Sequence, residues 1–211
     1  MPDPDSEAPV VYQLRVVLRG VSPLIWRRLL VRADSSVADL HGVLQVAFGW
    51  DGSHLHRFVI HGAEYGSFRK DARQVPLSRF GFRVGERFVY EYDFFDAWFH
   101  DVRVEAVLDD ELGRVFPRCV GGRRAGPPEG CGGPWAFLEA RQYWSLRAPA
   151  RAAELLGELL DEPESLLSEH GEQLAELAGL RPWLGLERFD RRGVNRDLVA
   201  PVLTENERSM A

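Results

Sequence analysis

The stretch "VVYQLRVVLRGVSPLIWRRLLVRADSSVADLHGVLQVAFGW", residues 10–50, changes its hydrophobic period part-way along. Val10, Tyr12, Leu14, Val16 and Leu18 fall on one face, and Gln13, Arg15 and Arg19 on the other. Period two of this kind describes a half-buried strand. "GVSP" (20–23) punctuates it, and "LIWRRLLVR" (24–32) resumes as a second strand, so 10–32 is expected to be a hairpin. From "DSSV" onward the apolar residues Val37, Leu40, Leu44, Ala47 and Phe48 take helical spacing. Ser35 or Ser36 can cap that helix, and Gly49 can end it. Gly42 inside the helix costs up to about 1 kcal/mol relative to Ala, so a neighbour is expected to pack closely there.

Working outward, "SHLHRFVIHG" (53–62) reads as a third strand. "EYGSFRKDARQVPLSRFGF" has no stable period and reads as a connection. "ERFVYEYDF" (86–94) and "AWFHDVRVEAVLD" (97–109) read as two strands with a break between them. Residues 112–134 are rich in Gly and Pro and read as a loop without regular structure. Beyond it, 134–144, 149–161, 163–180 and a short piece within 188–203 are helical in pattern, with Pro near the start of the first three.

The fold expected is therefore α+β: a mainly antiparallel sheet ordered strand-strand-helix-strand-strand-strand, followed by a helical C-terminal part. Its boundaries are a disordered tail over 1–9 and one domain over 10–204, divided into a sheet-rich part (10–111), the Gly/Pro loop (112–134) and a helical part (135–204).

Composition excludes several classes. With 45% hydrophobic and 27% charged residues, the chain is ordinary for a globular protein. It has no apolar run long enough for a membrane helix. Its acidic, Pro-rich start lacks the features of an export signal. With Cys119 and Cys131 as its two cysteines, a cytoplasmic, reducing setting is expected. Basic residues are 25 Arg against the single Lys70. Net charge is +6 over residues 12–88 and −9 over 89–211. The pattern His54-Leu55-His56-Arg57 matches the His-x-x-Arg of tyrosine recombinases, but an Arg-rich chain produces it by chance, and it lies on an expected strand. No P-loop, dinucleotide or zinc-protease motif is present.

The chemistry-bearing residues concentrate in "YDFFDAWFHD" (92–101). If the chain reverses near Phe95–Ala97, Asp93 and His100 face each other across a hairpin. Asp93, Asp96 and His100 are then candidate catalytic residues, and His54, His56, Asp96 and His100 candidate ligands of a divalent metal. The same carboxylates equally suit a turn in which they accept from backbone amides. Trp50, Tyr92, Trp98 and Trp135 are expected to line a groove for protein, peptide or nucleic acid, since rigid aromatics supply large contact area. Arg27 and Arg28, beside Trp26, are candidate phosphate contacts, though adjacent strand residues point to opposite faces. The Gly/Pro loop is expected to fold near the 92–100 turn. Cys119 and Cys131 are too far apart in sequence for the usual zinc pairing.

The segments "PLIWRRLLV" (23–31), "DLHGVLQVAFGW" (39–50), "HLHRF" (54–58), "YDFFDAWFH" (92–100), "FPRCVGGRRAGPPEGCGGPW" (116–135) and "FDRRGVN" (189–195) occur in that order. Together they resemble the plasmid pRiA4b ORF-3-like family, whose members occur on plasmids and as insertion-element passengers and whose function is unknown. The resemblance supplies no activity; the aromatic residues lead to the expectation of a non-catalytic binding or accessory module of mobile-element-associated type, and the Asp/His cluster to the alternative of a metal-dependent hydrolase. Three positions depart from the family pattern. Phe95 stands where Gly is usual in the turn, Gly130 stands where Asp is usual, and Ala125-Gly126 replaces a stretch that commonly holds a Cys.

Overall fold

The computed structural model describes residues 10–68, 72–110, 114–161 and 171–199. The tail expected over 1–9, the start of the helix expected from 163, and the end at 200–204 lie outside the described residues. Seven strands form one sheet: β1 (Val10–Leu18), β2 (Trp26–Arg32), β3 (His56–Ile60), β4 (Ala63–Gly66), β5 (Arg87–Tyr92), β6 (Trp98–Asp109) and β7 (Arg118–Arg123). Their order is β4-β3-β5-β6-β1-β2-β7, and every pairing is antiparallel. Four α-helices, α1 (Val37–Phe48), α2 (Gly133–Asp161), α3 (Gly171–Leu184) and α4 (Arg191–Val199), and two short 3-10 helices, Ala72–Gln74 and Leu77–Phe80, complete the described fold. The α+β class and the helical C-terminal part are as expected. Among the described residues no helix is long and apolar enough to cross a membrane.

The hairpin β1–β2 and the helix α1 follow from residues 10–50 as read. Ser36 caps α1: its hydroxyl accepts from the Asp39 amide at 3.0 Å, and the Asp39 carboxylate accepts from the Ser36 amide at 2.7 Å. This reciprocal box satisfies two amides that a helix start leaves without partners. Gly49, in the left-handed region at φ 81°, ends the helix. Val37, Leu40, Leu44, Ala47 and Phe48 are buried in the main core, which also holds Leu14, Val16, Phe58, Tyr90, Tyr92 and Trp98. Gly42 has open space around it, so the close neighbour expected there is absent.

Three expectations need correction. The connection after β3 contains the edge strand β4, which at four residues is too short to display a period. The Gly/Pro loop contains β7, paired with β2 through Leu29↔Cys119 and Arg28↔Gly121, with a bulge between. Glycine weakens a strand by itself. Here it is required, because a Cβ on Gly122 would sit 2.4 Å from the Phe189 ring. Finally, α2 runs unbroken through Pro149, where two helices were expected. Its Ala148, Ala152 and Leu155 pack with Leu180 of α3 in a second, small apolar cluster, and that burial offsets the hydrogen bond that proline removes.

At the outer edge of β7 one side chain caps both backbone groups of Cys119. Asn195 of α4 accepts from the Cys119 amide at 2.7 Å and donates to the Cys119 carbonyl at 2.9 Å. It thus stands in for the neighbouring strand that an edge lacks. Replacing Asn195 with Ala is expected to cost about 2 kcal/mol, because both backbone groups of a buried residue lose their partner. Urea denaturation checks this; an unchanged midpoint would contradict it.

Candidate metal-binding site at the end of the sheet

Strands β5 and β6 are joined by the turn 93–97. Asp93 builds it: its carbonyl accepts from the Ala97 amide at 2.7 Å. Its carboxylate accepts from the amides of Phe95 at 3.0 Å and Asp96 at 3.3 Å. The aromatic band therefore does double back, and Asp93 plays the turn-capping role. Two loops fold over this end of the sheet, one between α1 and β3 (residues 49–55) and one between β7 and α2 (residues 124–132). Asp96 Oδ2 accepts from the Gly132 amide at 3.0 Å, so the Gly/Pro-rich segment meets the turn as anticipated.

The first of these loops carries Trp50, Asp51 and His54; the second carries Pro127 and Glu129. The Trp50 indole stacks on Tyr92 at 5.0 Å between ring centroids and donates to the Pro127 carbonyl at 2.9 Å. Glu129 is held from two sides: the Tyr92 hydroxyl donates to Oε1, and the Asp51 amide donates to Oε2 at 3.0 Å. His54 Nδ1 lies 3.5 Å from Glu129 Oε1 and 3.3 Å from the Tyr92 hydroxyl, while Nε2 lies 3.8 Å from Asp93 Oδ2. Asp51, His54 and Glu129 can each offer one ligand atom, and those atoms all lie within 4.8 Å of one another.

Hydrogen bonds from Ser53 hold Asp51 below the usual carboxylate range, so it is anionic at neutral pH. Burial, reinforced by the bond to Glu129, pushes the Tyr92 phenol well above its ordinary value, so Tyr92 remains a donor that orients Glu129. Burial and then the Asp96 charge push the Cys131 thiol up to about 11. Cys131 is therefore a neutral thiol beside the site. Both cysteines are free, and Cys119 is buried in β7.

The other expected site residues disperse. His100 turns into the core, fully buried between Phe48 and Trp50, with neither ring nitrogen hydrogen-bonded. It shares its face of β6 with the buried Trp98, Val102 and Val104, and that parity was already present in the sequence. The proposed pairing of Asp93 with His100 is thus replaced by Asp93 on the turn amides, because burial of an apolar strand face outweighs it. His56 does not join His54. It stacks on His41 of α1 at 3.6 Å, next to Tyr90, whose hydroxyl lies 2.8 Å from His41 Nδ1. Burial lowers His41 to about 3 and His56 to about 4, so this pair is neutral at pH 7.

Nor do the four aromatics line an open groove. Trp50, Tyr92 and Trp98 are buried core residues, and Trp135 is 77% exposed at the start of α2. Large rings at the end of a sheet are worth more in the core than in solvent. Arg27 is also buried, with Nε donating to the Ala47 carbonyl at 2.6 Å and its guanidinium between the rings of Phe48 and Phe189. It is a core strut and is not open to phosphate. Arg28 lies on the opposite face, as adjacent strand residues must, and pairs with Glu105 at 2.5 Å.

Sequence reading missed Asp51, Glu129 and His41. The signal for two of them was present: Asp51 precedes His54 by three residues, and Glu129 follows the prolines of a motif that the fold brings over Tyr92.

The description "Plasmid pRiA4b ORF-3-like protein" belongs to a family model that matches residues 10–163. The chain belongs to the plasmid pRiA4b ORF-3-like family. It is 34% identical over 154 residues to the uncharacterised protein y4hQ of Sinorhizobium fredii, covering 69% of this chain and 79% of that one. Its fold is similar to the crystal structure of MM3350, a protein of unknown function from Methanosarcina mazei Go1. That likeness has a TM-score of 0.64 and 28% identity, covering 89% of this chain and 97% of the other. The family departures can now be read structurally. Phe95 is 94% exposed at the turn tip, and the left-handed backbone falls instead on Asp93 and Ala97, each at φ 54°. Asp tolerates that region better than most residues. Gly126 lies so close to α1 that a Cβ there would be 2.0 Å from the Phe48 carbonyl oxygen.

Proposed function

We propose that this protein is a non-catalytic binding module that holds a divalent metal ion with Asp51, His54 and Glu129. The observation that carries this is the convergence of one imidazole and two carboxylates, from loops 78 residues apart at the Asp51–Glu129 hydrogen bond, within 4.8 Å. One nitrogen and two oxygen donors suit zinc or manganese better than calcium, which prefers six or more oxygens. A bound ion would tie the Glu129 loop to the Asp51 loop over the Trp50–Tyr92 stack.

The test is calorimetric titration of chelator-treated protein with Zn²⁺, Mn²⁺ and Mg²⁺, with tryptophan fluorescence as a second readout. Saturable binding is expected, weakened more than about tenfold in His54→Ala and in Glu129→Gln. Binding that both variants retain would overturn the assignment. A second reading, metal-dependent hydrolysis, is favoured by the three-ligand set itself, since such sets leave coordination positions open to water. Turnover of chromogenic ester or phosphoester substrates by the metal-loaded protein, lost in the same variants, would decide for it.

A further inference from the structure

The cleft between β7 and α4 shares no residue with the metal-ligand set. It has a volume of about 320 Å³ and is lined by Arg118, Cys119, Val120, Arg191, Arg192 and Asn195. Arg191 is fixed at its rim by donating to the Val120 carbonyl at 3.1 Å. Arg118 and Arg192 are exposed, and among the described residues neither has a carboxylate partner. Three other arginines of this region do have such partners: Arg124 and Arg141 both pair with Glu187, and Arg196 pairs with Asp197. No carboxylate lines the cleft. The nearest acidic group in sequence, Asp190, is occupied in capping α4, where it accepts from the Gly193 amide at 2.9 Å.

From this geometry we propose that the β7–α4 cleft binds a small phosphate-bearing ligand through Arg118, Arg191 and Arg192. Guanidinium groups match phosphate oxygens two at a time, and three of them line this one concavity. The ligand is small because the positive charge is local. Residues 89–211 carry a net charge of −9, and an extended nucleic-acid backbone needs a cationic stripe beyond the cleft. The scaffold is rigid, since Asn195 and Phe189 lock α4 to β7.

The experiment titrates the full chain with pyrophosphate and, separately, with inorganic phosphate at low salt, by calorimetry. Pyrophosphate is expected to bind saturably. Arg118→Gln and Arg192→Gln should each weaken it by about tenfold, because each removes a charge-assisted bond. Arg196→Gln, on the same helix but paired with Asp197, should leave it unchanged. Circular dichroism should show all three variants folded, as these side chains are exposed. Absence of binding overturns the proposal, as does an equal loss in Arg196→Gln, which would mark a general charge effect. A single-stranded oligonucleotide that binds more tightly than pyrophosphate, with a steep salt dependence, would also overturn it.

Discussion

Gly133→Ala is expected to destabilise the protein by about 3 kcal/mol and to weaken metal binding at the same time. Gly133 opens α2 at φ 81°, a region that costs a side-chain-bearing residue energy. More decisively, its Cβ would lie 2.4 Å from the Asp96 carbonyl oxygen. That neighbour is backbone and cannot rotate aside. Relief requires the 93–97 turn and the start of α2 to separate. This would break the bond between Asp96 and the Gly132 amide and shift the segment that carries Glu129. Urea denaturation read by fluorescence checks the stability, and zinc titration checks the coupling. A variant within about 0.5 kcal/mol of the parent would show that the turn and the helix are not held together in this way.

Acid is expected to destabilise the fold from about pH 6.5 downward, with His100 contributing about 1.4 kcal/mol per pH unit. Burial lowers His100 to about 3, against an ordinary value of 6.5. Burial is the dominant cause, and the nearby Arg27 charge adds to it. Between those two pH values the unfolded chain holds a proton that the native chain refuses. The stability from a neutral His100 is therefore complete above pH 6.5 and lost as pH falls toward 3. Among the charged groups facing it, Arg27 stays cationic throughout, its value lowered only to about 10. Asp101 is held anionic by Arg19. His100→Leu should flatten the pH dependence of the urea midpoint by that amount. At pH 7 it should cost little, because it removes two buried nitrogens that have no hydrogen bond. An unchanged slope would mean that His100 is not the neutral imidazole that its full burial implies.

The β1–β2–α1 unit was legible because each part declares itself locally. Alternation in 10–18, helical spacing in 37–48, and a Ser-x-x-Asp box with a terminal glycine all lie within a few residues of the bonds they make. The β5–β6 reversal was legible for the same reason, since Asp93 bonds amides two and three residues away. β7 was not legible. Its glycines argue against a strand until the Phe189 ring, brought from the segment that leads into α4, occupies the space a side chain on Gly122 would have filled. His100 was misplaced although its parity with Trp98 and Val102 pointed inward, because the nearby carboxylates drew the reading outward.

The order of residues alone settled the class of fold and the turn that caps the aromatic band, since both depend on contacts made within a few positions along the chain. Which acids and imidazoles meet was settled only by tertiary packing. Asp51 and Glu129 become neighbours because Trp50 docks on Tyr92 and draws the Pro127 loop over it, and such long-range burial leaves no local period to read.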